Sequence, residues 1–202
     1  MLPALALVTA LLAPASATTD TAYGRLEGDL GVAVGVGAAI GPTGVRAEAG
    51  LRIRLLESIG WFGGYEDRLR SAPGPIRVFY TGMELRPLFL ARWLKGLEFG
   101  HRFFDLCLDS LGLELGAFAS QAGAESSLTR AGLQLGLGVE APLSGQVAGA
   151  WLALHGGLRI SDASLTGSAG GGEQGGLYVS VTLAWHAMFA THVVDAGGFG
   201  PK

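Results

Sequence analysis

The sequence predicts an all-β protein, a closed antiparallel barrel of about eight strands. Three observations carry that reading. Apolar and polar residues alternate with a period of two over seven segments, most of them about ten residues long. Stretches rich in Gly, Ser and Asp separate those segments, as turns require. The chain is 49% hydrophobic and only 15% charged, which excludes a disordered polypeptide. Its 34 glycines follow no Gly-x-y period, so collagen is excluded as well.

In the first segment Leu26, Leu30, Val32, Val34 and Val36 alternate with Arg25, Glu27, Asp29, Gly31, Ala33, Gly35 and Gly37. Gly41-Pro42-Thr43-Gly44 is a turn signal. The second segment sets Val45, Ala47, Ala49, Leu51, Ile53 and Leu55 against Arg46, Glu48, Gly50, Arg52 and Arg54. In the third, Phe79, Thr81, Met83, Leu85 and Phe89 oppose Tyr80, Gly82, Glu84 and Arg86. The fourth opposes Leu111, Leu113, Leu115 and Ala117 to Gly112, Glu114, Gly116 and Phe118. The fifth opposes Leu133, Leu135, Leu137 and Val139 to Arg130, Gly132, Gln134, Gly136, Gly138 and Glu140. After a turn at Pro142-Leu143-Ser144-Gly145, the sixth opposes Ala150, Leu152, Leu154, Leu158 and Ile160 to Gly149, Trp151, His155, Gly157 and Arg159. In the last, Leu177, Val179, Val181, Leu183, Trp185 and Phe189 oppose Tyr178, Ser180, Thr182, Ala184 and His186.

Residues 57–75, 120–127 and 162–175 read as loops. Residues 92–108 place Trp93, Leu97, Phe103, Phe104 and Cys107 at roughly helical spacing. This predicts a short amphipathic helix at a membrane surface, or a packed loop, near 92–104. Seven segments are counted where an all-antiparallel closed ring needs an even number, so an eighth strand is expected within 59–65, within 98–104 or in the C-terminal tail.

Residues 1–17 are apolar and uncharged and end in Ala15-Ser16-Ala17, before the polar Thr18-Thr19-Asp20. This is the pattern of a cleaved secretory signal peptide, leaving 18–202 as the barrel domain. Pro3 and Pro14 disfavour a membrane helix there. In residues 30–45, the longest later run free of both charged residues and histidine, five glycines and Pro42 disfavour another. A mature chain of this kind enters lipid only as a closed sheet.

Alternation alone does not choose the wet face. The polar face here mixes Gly and Ala with charges that nearly cancel, as the cramped bore of a narrow barrel demands. A lumen charge network is expected of Arg25, Glu27, Asp29, Arg46, Glu48, Arg52, Arg54, Glu84, Arg86, Glu114, Arg130, Glu140 and Arg159. Confined charges must be paired. The chain uses 12 Arg and only 2 Lys, and the guanidinium tolerates partial desolvation better than an ammonium. The opposite face has almost no polar atom. The prediction is a transmembrane barrel with charges in the bore and Leu and Val against lipid.

On these segments the chain resembles the small outer-membrane β-barrels of the OmpA/OmpX type from Gram-negative bacteria. The likeness spans Arg25 to Phe189. Gln174-x-Gly176-x-x-Val179-x-Val181, followed by Trp185 and Phe189, is similar to the assembly signal in the last strand of such barrels. The resemblance implies a monomer in the outer membrane after export, with lipids and the outer-membrane assembly machinery as partners. It also implies a structural, adhesive or receptor-like role through loops 57–75, 92–104 and 162–175, and a filled lumen.

Motifs for chemistry are sparse. A net charge of −3 argues against nucleic acid as a partner. The His-x-Ser pattern of lipid deacylases does not occur at His101, His155, His186 or His192. His155 and His186 fall on the polar face and are expected to join the Arg/Glu network. Asp105 and Asp109 read as rim charges, and Cys107 as a small apolar residue without an activating base. No catalytic, cofactor-binding or metal set is expected. The alternatives are a secreted lipocalin-like barrel for a hydrophobic ligand, a small pore or a lipid-modifying enzyme.

Overall fold

The computed structural model describes residues 23–25, 28–42, 44–69, 77–121, 130–166 and 176–191. Eight strands form one closed sheet: β1 (Leu30–Gly41), β2 (Gly44–Leu55), β3 (Ile59–Arg68), β4 (Arg77–Leu85), β5 (Gly112–Gln121), β6 (Arg130–Pro142), β7 (Gly149–Ser161) and β8 (Gly176–Phe189). Each pairs antiparallel with its neighbour in sequence, and β8 closes the ring on β1 from Leu30↔Phe189 to Ile40↔Val179. The remaining elements are α1 (Pro87–Lys95), α2 (Arg102–Asp109) and the single turn α3 (Asp162–Leu165).

Strict up-and-down order sorts the connections. The start of β1, the finish of β8, the turn at 56–58, the helical connection 86–111 and the turn at 143–148 lie at one end, the terminal end. The Gly41–Gly44 turn, α3 and the strand ends that flank 70–76, 122–129 and 167–175 lie at the other, the loop end.

The alternating pattern sets what faces where, because successive Cβ atoms point to opposite faces. Arg54 is 2% exposed and Glu140 1%, whereas Val36 is 61% exposed and Leu115 58%. Charges therefore line the bore and aliphatic side chains cover the outside. Phe62 and Tyr80 help to fill the interior, with ring centroids 6.2 Å apart. Gly82 and Gly116 are register partners beneath the Phe62 ring, where any Cβ would strike the partner strand or the ring.

Three expectations are corrected. The eighth strand is β3, so 57–75 is not one loop: Glu57 belongs to a tight turn and 59–68 to the sheet. The third predicted segment stops at Leu85, because Pro87 occupies the first turn of α1; Phe89 is helical and buried. The 92–104 stretch is the end of α1, a linker and the start of α2, and it lies at the opposite end from 162–175. The proposed signal peptide, 1–17, lies outside the described residues.

The β2–β3 turn is built on two non-glycine residues with positive φ, Leu56 (48°) and Glu57 (49°), closed by Ser58 N–H to Leu55 O at 3.1 Å. Such turns normally use Asn-Gly or Gly. At the ring's seam, Asp29 accepts from the Thr191 amide at 2.5 Å and from its hydroxyl at 2.9 Å, tying the two ends of the described barrel together.

Candidate functional site

The candidate site is the charged bore, which holds two clusters, with a third beneath the helices. The largest lies toward the terminal end. Arg52 and Arg54 project from alternate positions of β2, Glu84 and Glu114 from β4 and β5, and Glu140 from β6. Arg86 enters from just beyond β4 and Glu57 from the β2–β3 turn. Arg52 Nη1 lies 2.7 Å from both Glu84 and Glu114. Arg54 Nη2 donates to Glu140 at 2.6 Å and its Nε to Glu84 at 3.2 Å. Arg86 pairs with Glu84, and lies 2.7 Å from Glu140 and 3.4 Å from Glu57. His155 Nδ1 is 2.8 Å from Glu114, and His186 Nε2 is 3.3 Å from Glu140 and stacked on Trp151. Three guanidiniums thus face four carboxylates, with the two expected histidines among them.

The second cluster lies toward the loop end. Arg159 makes a two-pronged pair with Glu66 at 2.5 and 3.0 Å, donates to Gln134 at 2.9 Å and sits 4.5 Å over the Tyr178 ring. Arg46 reaches the same Glu66 at 3.5 Å, and Glu48 accepts from the Tyr80 hydroxyl. Glu66 is the hub here. It is absent from the expected network because the window expected for an eighth strand, 59–65, stops one residue before it.

Of the expected network, Arg46, Glu48, Arg52, Arg54, Glu84, Arg86, Glu114, Glu140 and Arg159 are brought together in the interior. Arg130 is not: it keeps the inward parity of β6 but stands exposed where that strand begins. Asp29 serves the seam. Glu27 lies outside the described residues, as does His192.

Arg25 belongs to the third cluster, beneath the helices at the terminal end. Asp105 and Asp109, four apart on α2, share one helix face. They are 0% and 3% exposed, so they are not rim charges. Arg92 bridges both at 2.5 Å. Arg25 meets Asp109 at 2.7 Å and lies 4.2 Å over the Phe89 ring, and the Tyr23 hydroxyl donates to Asp105 at 2.8 Å. Burial pushes the Asp105 carboxyl up, but the Phe99 amide, the Tyr23 hydroxyl and Arg92 together hold it below the usual aspartate range. Burial, and then the bond to Asp105, push Tyr23 up to about 12. Burial also raises the half-buried Cys107 thiol, away from reactivity.

Leu106, Val147 and Trp151 form an apolar contact between this cap and the barrel. The space left against Arg25, Glu57, Arg86, Asp109 and Trp151 is about 10 Å³, room for about one water. The cap therefore packs against the terminal end of the bore.

Glu114 and His155 resemble two members of a nucleophilic triad, and Ser180 is the cross-strand partner of His155. All three are at most 4% exposed, and Arg52 Nη2 approaches the same ring nitrogen at 3.2 Å. This geometry fits a bore-filling network better than a substrate site.

Compared with known proteins, the chain matches no family model, no curated protein and no solved structure.

Proposed function

We propose that the protein is an integral outer-membrane β-barrel with a structural, adhesive or receptor-like role, its bore filled rather than open. The observation that carries this is the inverted polarity of a closed sheet. Aliphatic side chains such as Val36, Leu137 and Leu183 stand exposed around the ring, and buried Arg and Glu fill its centre. In water that arrangement forfeits burial worth about 25 cal/mol per Å² of apolar surface; in a bilayer it is the stable one. The strands, 9 to 14 residues long, meet the roughly 9–11 residues a tilted strand needs to cross a bilayer. A soluble barrel for a hydrophobic ligand needs an apolar interior, which this bore does not offer. Of the loops expected to carry recognition, those after β3 and β7 follow strands that finish at the loop end.

Cell fractionation and refolding test the proposal. Extraction only by detergent is expected, with insertion into phospholipid vesicles and a heat-modifiable gel mobility. Recovery as a soluble periplasmic monomer would refute it.

A further inference from the structure

We propose that the connection 86–111 is an interfacial anchor, whose outer face is seated in the headgroup–acyl boundary of the leaflet at the terminal end. This rests on the membrane-spanning reading and extends it to a second lipid contact of different chemistry. The face comprises Leu94, Leu97, Phe99, Phe103, Phe104 and Leu108; Phe99 is 72% exposed, Leu94 70% and Phe104 60%.

Four observations select lipid as the occupant. First, the helices repeat the inversion of the barrel. Their buried side carries Arg92, Asp105 and Asp109, and their open side carries leucine and phenylalanine. A helix packed on a water-soluble core does the reverse. Second, the apolar face is continuous with the outside of the barrel: exposed Leu108 and Leu111 lead directly into outward-facing Leu113 and Leu115 of β5.

Third, the charge left over is basic. Asp105 and Asp109 are engaged by Arg92 and Arg25, so exposed Lys95 and half-buried Arg102 outnumber Glu98, the one other acid of the segment. Trp93, two positions before Lys95 on the same helix, is partly exposed. Basic residues flanking an aromatic face suit an anionic lipid surface. A symmetric second copy would instead set Lys95 and Arg102 near their own equivalents. Fourth, a short turn is enough to join neighbouring antiparallel strands. Here the other two turns at that end follow the rule, and 86–111 alone carries two helices.

The test uses the full chain with Cys107→Ser, refolded into vesicles of phosphatidylcholine and phosphatidylglycerol. A fluorescent label is placed in turn at Phe104→Cys, at Leu115→Cys on the outer face of β5, and at Leu165→Cys at the loop end. Doxyl-labelled lipids and aqueous iodide serve as quenchers. The labels at 104 and 115 should both be quenched severalfold more by the lipids than the label at 165, and iodide should give the opposite order. Phe99→Cys repeats the measurement should Phe104→Cys fail to fold.

If the label at 104 meets iodide as readily as the label at 165 while the one at 115 stays in lipid, the anchor is overturned and the spanning barrel stands. If the label at 115 is not quenched by lipid, the spanning reading itself falls. A label at 104 shielded from both quenchers, and uncovered on dilution of the protein, would mean a second copy and would also overturn the anchor.

Discussion

Replacing Arg54 by Met should destabilise the barrel more than replacing Glu140 by Gln, although the two side chains bond each other at 2.6 Å. The difference lies in what each change leaves behind. Arg52, Arg54 and Arg86 share the cluster with Glu57, Glu84, Glu114 and Glu140. Arg54→Met leaves two guanidiniums among four buried carboxylates, and Glu84 and Glu140 lose a partner together. Removing one member of a buried pair typically costs about 3–5 kcal/mol. Glu140→Gln leaves three cations facing three anions and keeps an oxygen that can accept from Arg54. Its cost should be nearer that of one charge-assisted hydrogen bond, about 1.5–3 kcal/mol. Urea unfolding of protein refolded in vesicles, read by circular dichroism and by gel mobility without boiling, gives both numbers. If Glu140→Gln proves the more damaging, or Arg54→Met is neutral, then the excess of carboxylates does not govern this bore.

Further outcomes follow from other sites. Leu56→Asn should stabilise the barrel by about 1 kcal/mol, because Asn accepts positive φ more readily than Leu; the same unfolding assay measures it. Gly82→Val should cost about 3 kcal/mol or prevent closure, since its side chain would meet β5 and Phe62, whereas exposed Ala117→Val should stay within about 0.5 kcal/mol. Heat-modifiable mobility separates the two. Asp105 has a depressed folded value, so its contribution is present above the ordinary aspartate pKa of about 3.9 and is lost as pH falls through the lower folded value. Hydrogen exchange in 87–109 should therefore accelerate in acid beyond its intrinsic pH dependence. Asp105→Asn should accelerate it already at neutral pH.

The barrel was legible wherever a strand kept one small or charged face and one aliphatic face, as β2 does with Arg46, Glu48, Arg52 and Arg54. β3 broke the pattern for a packing reason. Phe62 points inward, into space that Gly82 and Gly116 vacate on β4 and β5, while Gly63 points outward. The window left open for an eighth strand, 59–65, ends one residue before Glu66, and so leaves out the partner of Arg46 and Arg159. The cap was half visible: helical spacing near 92–104 was seen, but the burial of Asp105 and Asp109 was not. Burial there depends on Arg25, 84 residues from Asp109 in the chain, and separation of that kind leaves no local signature. Pro87 marked where β4 must end, yet Phe89 kept the strand's parity and masked the change of element.

Because Thr191 is bonded to Asp29, the start of β1 and the finish of β8 are neighbours. The ring of strands has no first member in space, only in sequence. A short linker fusing 191 to 29 would allow new ends to be cut at 122–129 without altering a single ladder pairing. Such a circular permutant should close into the same cylinder, its entry point moved to the opposite mouth. Truncating β8 behaves otherwise: it bares the edges of β1 and β7 at once, and two open edges invite strand addition from other chains.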